Sequence, residues 1–286
     1  MNAVSAGNTK SPNLTVEAAF AELRKRFPFE GYIDSAEDGI RNIASTVATV
    51  LSPGATVLDF GSGPCDKTGI LQLMGYRCSA IDDLGDDWHH LGDNEERILS
   101  FIRWCGIDFH HASPGSLTKM NGRDFDLLML NDVLEHLHES PRELMNQLLS
   151  SVRPGGLVLI TVPNAGNIRK RLALLWGRTN LPAYELYYWQ PGRWRGHIRE
   201  YVRSDLEQLA SYLGLTPLQL RGCDHMMSKV PGRLRGLYGL ITGVFDGFKD
   251  TWMMLGRKPA DWQPRTELPR EELEQILRKY SAYNYK

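Results

Sequence analysis

Five short apolar runs alternate along the chain with segments in which apolar residues recur at helical spacing. The runs predict β-strands at 56–60, 77–82, 107–112, 125–133 and 157–162. The segments between them predict helices at 66–74, 94–105 and 140–152. Apolar strands that are separated by helices are typical of a parallel sheet covered on both faces, so the pattern predicts an α/β fold.

The pattern differs at both ends of the chain and after the fifth strand. Helices are predicted at 14–27, 36–51, 204–213 and 232–250, and late strands at 216–222 and 251–257. We therefore expect an N-terminal helical extension (1–52), an α/β domain (53–262) and a C-terminal helical tail (263–286). Two inserts are expected within the domain, an acceptor lid at 163–203 and a helical insert at 224–250.

Composition narrows the range of partners. A net charge of −1 gives no overall reason to expect nucleic acid. The four cysteines are far apart in sequence, which favours reduced thiols over disulfides or a zinc site. The polar N-terminus lacks the apolar core of a secretory signal, and no run of about 18 apolar residues is present. We expect a cytoplasmic protein.

The stretch ATVLDFGSGPCDKTGILQ, residues 55–72, carries the most specific signal. The loop after the first strand of an open α/β sheet commonly holds the ligand, and Gly61 and Gly63 permit a tight turn and close approach. A dinucleotide loop would have a third glycine where this chain has Asp66. Asp59 disfavours a pyrophosphate but favours a cationic ligand, and Asp82 can accept both hydroxyls of a ribose. A nucleoside with a positive tail, S-adenosylmethionine, fits these residues.

Four motifs stand in the order of one known family: VLDFGSGPC, AIDD, FDLLMLNDVLEHL and RPGGLVLITVPN. Over residues 40–222 the chain resembles class I S-adenosylmethionine-dependent methyltransferases, and most of all the branch that acts on small molecules, sugars and quinone-type lipids. The resemblance implies a Rossmann-like, seven-stranded, mostly parallel sheet whose last strand is antiparallel. It also implies S-adenosyl-L-homocysteine as the product.

The resemblance implies a set of cofactor-binding residues. Asp59, Gly61, Ser62 and Gly63 are expected to hold the methionine part, and Asp82 the ribose, with Asp83 nearby. Asn131 is expected to face cofactor and acceptor. Ala112 and Ser113 replace the usual Gly-Asp pair after the third strand, so Ser113 or a backbone carbonyl is expected to serve the adenine.

A hydroxyl acceptor must lose a proton during methyl transfer, and a histidine suits that task at neutral pH. The candidates are His197 in the insert and His136 after the fourth strand, with Asp132 as a third. A metal held by His89 and His90 with the nearby aspartates is an alternative, but the chemistry needs none and we expect no metal.

The segment 168–203 contains eight Lys and Arg against two Glu, together with seven Trp and Tyr, and its net charge of +6 contrasts with −7 for the rest. Arginines that grip an oxyanion beside a stacking ring would suit an acceptor site. Arg193, Trp194, Arg195 and Tyr188 are the predicted acceptor-binding residues. Single-stranded nucleic acid is a lesser alternative, and a solvated lid is another. The helix at 232–250 could contact a membrane surface.

The expected function is O-methylation of a small-molecule or glycan-type acceptor, with an anionic acceptor as one option. Two alternatives keep the cofactor, namely an N-methyltransferase and a non-catalytic S-adenosylmethionine-binding subunit. A nicotinamide-dependent oxidoreductase is disfavoured by Asp59 and Asp66.

Overall fold

A seven-stranded sheet forms the centre of the protein. The computed structural model describes residues 13–280 except 114, 121 and 180. The strands are β1 (Thr56–Phe60), β2 (Arg77–Asp82), β3 (Asp108–His111), β4 (Phe125–Asn131), β5 (Val152–Pro163), β6 (Thr216–Cys223) and β7 (Thr251–Arg257). Their order across the sheet is β3-β2-β1-β4-β5-β7-β6, and β7 is antiparallel to both of its neighbours. The predicted α/β class and the antiparallel last strand are confirmed.

Ten helices surround or extend the sheet within the described residues. They are α1 (Val16–Arg26), α2 (Tyr32–Val50), α3 (Asp66–Leu73), α4 (Asn94–Cys105), α5 (Pro141–Leu149), α6 (Ile168–Leu175), α7 (Tyr184–Trp189), α8 (Arg203–Tyr212), α9 (Gly232–Val244) and α10 (Arg270–Tyr280). Both faces of the sheet are covered by apolar clusters, which explains why the central strands are apolar along their whole length. In this described part of the chain, no helix is both long and apolar enough to cross a membrane.

Several element bounds differ from the sequence prediction. Helix α2 begins at Tyr32 rather than 36, because Gly31 adopts a left-handed conformation (φ +73°) that starts the helix there. Strand β5 begins at Val152 rather than 157, because the turn residues Pro154 and Gly155 lie in an irregular part of its pairing with β4. The predicted helix at 232–250 ends at Val244 and a 3₁₀ turn follows at Asp246–Phe248.

The strand ends fix where a site can form. Strands β1, β2 and β4 are parallel neighbours, so their carboxyl ends, with Phe60, Asp82 and Asn131, lie at the same edge of the sheet. Helices α1 and α2 pack against α3, which follows the glycine loop. The domain bounds and the lid role of the first insert stay predictions. The terminal residues 1–12 and 281–286 lie outside the described residues.

Candidate functional site

The loop after β1 depends on glycine for its conformation. Gly61 and Gly63 have φ of +71° and +52°, in the left-handed region that side chains disfavour. A Cβ at Gly61 would stand 2.5 Å from Cγ2 of Val133, whereas one at Gly63 would meet nothing within 4 Å. Gly61 is therefore required for packing against the β4 end, and Gly63 leaves open space toward the cleft described below.

Asp82 closes this loop at the end of β2. One carboxylate oxygen accepts the N–H of Gly63 and the other accepts the N–H of Leu84, both at 2.7 Å. Each oxygen keeps a second lone pair, so the carboxylate can still accept two further hydrogen bonds. Burial raises the pKa of Asp82, while the two backbone N–H groups oppose that rise. This is the geometry that a ribose diol requires.

Asp59 lies behind the loop rather than on its surface. It is 1% exposed, and the Thr68 hydroxyl donates to its Oδ2 at 2.6 Å. Its Oδ1 is buried and has no hydrogen-bond partner among the described residues. Burial raises the pKa of Asp59 to about 7. A cation bound in front of the loop would interact with Asp59 through its charge, across the intervening atoms, without direct contact.

One cleft runs across the carboxyl ends of the strands, with a volume of about 1100 Å³. Near β1 and β2 it is lined by the loop residues 61–63 and by Asp82 and Asp83. Asn131 also lines it; its Nδ2 is buried and has no partner within the described chain, while its Oδ1 accepts from Thr161 at 3.3 Å. A buried donor without a partner is costly, so Asn131 favours a ligand or water that reaches its amide.

The cleft lining contains a partly exposed ion pair. Lys67, in the first turn of α3, donates to Asp132 at 3.2 Å. Asp132 has φ +59°, a left-handed conformation that few residues other than glycine adopt. Burial raises the pKa of Asp132 but the Lys67 ammonium outweighs it, so the pKa is lowered and the carboxylate stays ionised. Asp132 is therefore a poor proton acceptor.

The insert after β5 closes over the far side of the cleft through two histidines. The His136 Nδ1 lies 2.7 Å from the Arg195 carbonyl, and the His138 Nε2 lies 2.7 Å from the Trp194 carbonyl. The His136 and His138 side chains, Arg193, Trp194 and Arg195 all line the cleft. The insert is thus a wall of the same cleft that the glycine loop opens.

Arg195 links this wall to the cofactor end. Its guanidinium donates to Asp83 at 3.0 and 3.2 Å and lies 3.6 Å from Asp86. Partial burial raises the pKa of Asp83, but the Gly85 N–H and Arg195 outweigh it and lower the pKa. Arg193 makes no side-chain hydrogen bond or ion pair with any described residue. Of the two predicted oxyanion binders, only Arg193 has a guanidinium that these carboxylates leave unpaired.

His197 faces away from the cleft lining. Its ring lies 5.0 Å from that of His136, and its Nδ1 is 2.8 Å from Oε1 of Glu200. Burial, with His136 and Lys170 nearby, lowers the pKa of His197 to about 4. His136 is the one predicted histidine base that lines the cleft.

Comparisons with known proteins identify the family of the chain. A search of curated protein sequences finds no match. The family model described as a methyltransferase domain matches residues 34–220. The chain belongs to this family. It is a class I S-adenosylmethionine-dependent methyltransferase, as the four motifs predicted.

Solved structures share the methyltransferase fold at low sequence identity. A cyclopropane-fatty-acyl-phospholipid synthase-like protein from Lactobacillus casei is 14% identical, with a TM-score of 0.54, over 85% of this chain and 97% of that chain. Phosphoethanolamine N-methyltransferase 2 of Haemonchus contortus, in complex with S-adenosyl-L-methionine, is 15% identical with a TM-score of 0.53. The alignment covers 87% of this chain and 58% of that one. At such identities the similarity shows the fold alone.

The residues of this methyltransferase fit its cofactor. Asp82 keeps two free lone-pair directions, Asn131 presents an unpaired amide and Gly63 leaves open space. Ser113 does not line the cleft; its neighbour Ala112 does, while the Ser113 hydroxyl lies 2.9 Å from that of Ser116. The individual site assignments stay predictions, including the residue that contacts the adenine.

The structure also shows where the predicted residues meet and which ones were missed. Gly61, Ser62, Gly63, Asp82, Asp83, Asn131, Asp132, His136, Arg193, Trp194 and Arg195 line one cleft. Asp59, Ser113, Tyr188 and His197 do not. Tyr32 and Lys67 line it and were not predicted. A lysine in the first turn of a helix opposes the helix dipole, and that signal could have drawn attention to Lys67.

The alternative metal cluster of His89 and His90 with the loop aspartates is not present among the described residues. His89 is 1% exposed, and neither of its ring nitrogens has a partner among the described residues. It packs edge-on against Trp88 at 4.2 Å. The aspartates of that loop instead contact Arg195 and backbone N–H groups. His89 is therefore a packing residue.

Proposed function

We propose that this methyltransferase transfers a methyl group to a hydroxyl oxygen of a small-molecule or glycan-type acceptor that carries an anionic group beside a ring. One observation carries the proposal. A single cleft joins the glycine loop and Asp82 at one end to Arg193, Trp194 and Arg142 at the other. A nucleoside and an acceptor can therefore lie in one space, with the basic and aromatic residues at the acceptor end.

The cofactor supplies a methyl group already activated on a sulfonium, so the protein contributes mainly proximity and alignment. The glycine loop, Asp82 and Asn131 hold one partner, and the insert holds the other. A hydroxyl acceptor must also lose its proton, and an amine need not. We place that deprotonation at His136, because it is the predicted histidine whose side chain lines the cleft between the two ends.

Trp194 gives the acceptor end its shape. Its indole lies edge-on to Tyr187 at 5.3 Å, and its Nε1 donates to the His197 carbonyl at 3.3 Å. The ring is therefore held in place at the wall of the cleft, where an aromatic ring can stack on an acceptor ring. Tyr188 is 62% exposed and lies outside the cleft lining, so we do not retain it as an acceptor contact.

The experiment is an acceptor screen that detects S-adenosylhomocysteine. Ring hydroxyl compounds with and without carboxylate or phosphate are compared with their amine counterparts. We expect turnover of the anionic hydroxyl compounds. Turnover of amines alone would replace this proposal with N-methylation, and cofactor binding without any turnover would indicate a non-catalytic subunit.

The Arg193→Glu variant tests the acceptor end. A charge-assisted hydrogen bond contributes about 1.5–3 kcal/mol, so the KM of an anionic acceptor should rise roughly 10- to 150-fold. Cofactor affinity should not change, because Arg193 makes no contact with the carboxylates near β2. The matched control is Arg178→Glu, an exposed arginine of the same insert outside the cleft. An unchanged KM for anionic acceptors would contradict the assignment.

We also propose that this protein contacts a membrane surface with helices α6 and α9, and keep a cytoplasmic location as a prediction. Exposed apolar residues on these elements include Leu175, Trp176, Leu240 and Phe245. Both helices contact the 3₁₀ turn at Asp246–Phe248, so they lie near each other. Exposed arginines nearby in sequence, Arg178 and Arg233, suit an anionic lipid surface.

Vesicle cosedimentation tests the membrane contact. The protein should sediment with vesicles containing anionic lipid, and Leu175→Glu with Trp176→Glu should reduce the bound fraction severalfold, since each change removes apolar area and adds repulsion. Trp104→Glu, on the exposed side of α4, is the matched control. Equal sedimentation of both variants would exclude this surface.

A further inference from the structure

A group of metal-ligating side chains lies beside the cleft, outside the predicted cofactor site. One ligand atom each from Glu135, His136 and His197 lies within 4.8 Å of the others. Glu135 and His136 belong to the 3₁₀ turn that follows β4, and His197 comes from the insert. The Glu135 carbonyl accepts the N–H groups of Ile198 at 2.6 Å and Arg199 at 3.3 Å. These backbone bonds hold the insert against the turn and bring His197 to Glu135.

Both histidines are oriented by acceptors on the same ring nitrogen. The Nδ1 of His136 faces a carbonyl, that of Arg195, and the Nδ1 of His197 faces a carboxylate oxygen of Glu200. Carbonyls and carboxylates accept hydrogen bonds, so Nδ1 carries the proton in each ring and Nε2 carries a lone pair. Metal-binding histidines are oriented by this kind of partner, which fixes the tautomer.

Glu135 is the second observation that points to a ligand. Its side chain is 0% exposed, and neither carboxylate oxygen has a hydrogen-bond partner among the described residues. Lys170, a lysine of the insert, pairs with Glu200 instead. The His136 Nε2 lies 3.9 Å from the Glu135 Oε1. A buried carboxylate beside the His136 Nε2, with a ring nitrogen of His197 in the same cluster, is a set of acceptors that lacks a positive centre.

We propose that Glu135, His136 and His197 bind a divalent transition-metal ion at the wall of the cleft. An ion centred among three atoms that are at most 4.8 Å apart lies no more than about 2.8 Å from each. Ligand distances at zinc are about 2.0–2.2 Å, so side-chain movements of up to about 0.8 Å complete the coordination. Two imidazoles and one carboxylate leave positions open for water or an acceptor oxygen.

The donor set selects the class of ion. Imidazole suits Zn²⁺, Cu²⁺, Fe²⁺ and Ni²⁺ more than Mg²⁺ or Ca²⁺, which prefer oxygen ligands. Because His136 lines the cleft, the ion would adjoin the acceptor end. In the metal-bound protein the ion would replace His136 as the group that activates the acceptor hydroxyl, because the Nε2 lone pair of His136 is then used for coordination. This last step rests on the proposed O-methylation, whereas the binding site does not. This inference departs from the expectation of no metal.

The experiment is a Co²⁺ titration of the full-length, EDTA-treated protein, followed by visible absorption, with Zn²⁺ and Mg²⁺ titrated by calorimetry. We expect one Co²⁺ per chain, displacement by Zn²⁺ and binding of Mg²⁺ at least roughly 100-fold weaker. His197→Ala, His136→Ala and Glu135→Gln should each lose more than about 100-fold in Co²⁺ affinity. Glu200→Gln should lose about 10- to 100-fold, as expected for a residue that only positions a ligand.

The matched control is His138→Ala, which removes another histidine that bonds the insert backbone but lies outside the cluster. It should bind Co²⁺ like the wild type. S-adenosylmethionine affinity, measured for every variant, separates loss of the metal from loss of the fold. If Glu135→Gln does not fold, the two histidine variants decide. Absence of one-to-one binding in the wild type, or wild-type affinity in both histidine variants, would overturn the site whatever acceptor the enzyme methylates.

Discussion

Asp82→Ala is expected to weaken binding of S-adenosylmethionine and S-adenosylhomocysteine alike by roughly 10- to 150-fold. Hydrogen bonds to a charged group contribute about 1.5–3 kcal/mol, and the Asp82 carboxylate has two free lone-pair directions at the cleft. The ribose is common to both molecules, so the loss should not depend on the sulfonium. Calorimetric titration of each ligand measures the change.

The result is informative only if the glycine loop keeps its conformation in the Asp82→Ala protein. Asp82 also accepts the N–H groups of Gly63 and Leu84, so circular dichroism and the melting temperature of each variant are needed. Asp83→Ala is the matched control, because Asp83 pairs with Arg195 and binds the insert rather than the loop. Its effect on cofactor affinity should be smaller. Unchanged affinity in a folded Asp82→Ala protein would remove Asp82 from the ribose site.

The cofactor end was predictable because it depends on short-range rules. Acids and glycines at the carboxyl ends of parallel strands must come together wherever the sheet places those strands side by side. Asp82 and Gly63 are joined by one hydrogen bond of 2.7 Å across β2 and β1. Once the apolar runs are recognised as parallel strands, the fold places Asp82 next to the glycine loop.

The cleft wall was harder to predict because its contacts join distant parts of the chain. Arg195 pairs with Asp83 across 112 positions, and Lys67 with Asp132 across 65. No local pattern indicates which carboxylate a given arginine meets. The two predicted arginines therefore looked equivalent in sequence, and only the folded insert distinguishes the paired Arg195 from Arg193.

Asp59 shows a different limit of sequence reasoning, because its place in β1 was foreseen and its burial was not. The residue follows the pattern of the loop, yet it lies behind the glycines with one oxygen unpartnered. A sequence specifies that an acid ends the strand, but the packing of α3 against the sheet decides whether solvent reaches it. This burial gives Asp59 a measurable effect on stability.

Asp59→Asn is expected to make the stability of the unliganded protein less dependent on pH between about 4 and 7. Burial raises the pKa of Asp59 to about 7 from an unfolded value near 3.8. Below about pH 4 the Asp59 carboxyl is protonated in both the folded and the unfolded state, so its raised pKa does not lower the free energy of unfolding there. As pH rises, the unfolded state ionises first, so folding loses stability until the native group ionises near pH 7. The total loss is on the order of 4 kcal/mol.

The difference in unfolding free energy between Asp59→Asn and the wild type should therefore increase from pH 4 to 7 and stay constant above. The amide oxygen can still accept from Thr68, whereas the amide nitrogen takes the place of an unpartnered oxygen. That buried donor lowers the stability of the variant by about 1–3 kcal/mol at every pH. It therefore shifts the difference in unfolding free energy by a constant and does not change how that difference depends on pH. Urea unfolding at several pH values measures it, with Asp108→Asn, a half-exposed acid, as the control.

The same variant tests whether Asp59 acts on the cofactor through its charge. A bound sulfonium and ammonium favour the ionised carboxylate, so wild-type affinity for S-adenosylmethionine should rise as pH increases toward 7. In Asp59→Asn that rise should be reduced, because the amide does not titrate. A variant whose affinity follows the wild-type pH profile would show that Asp59 only supports the loop through Thr68, and the positive tail would then be held by other residues of the cleft.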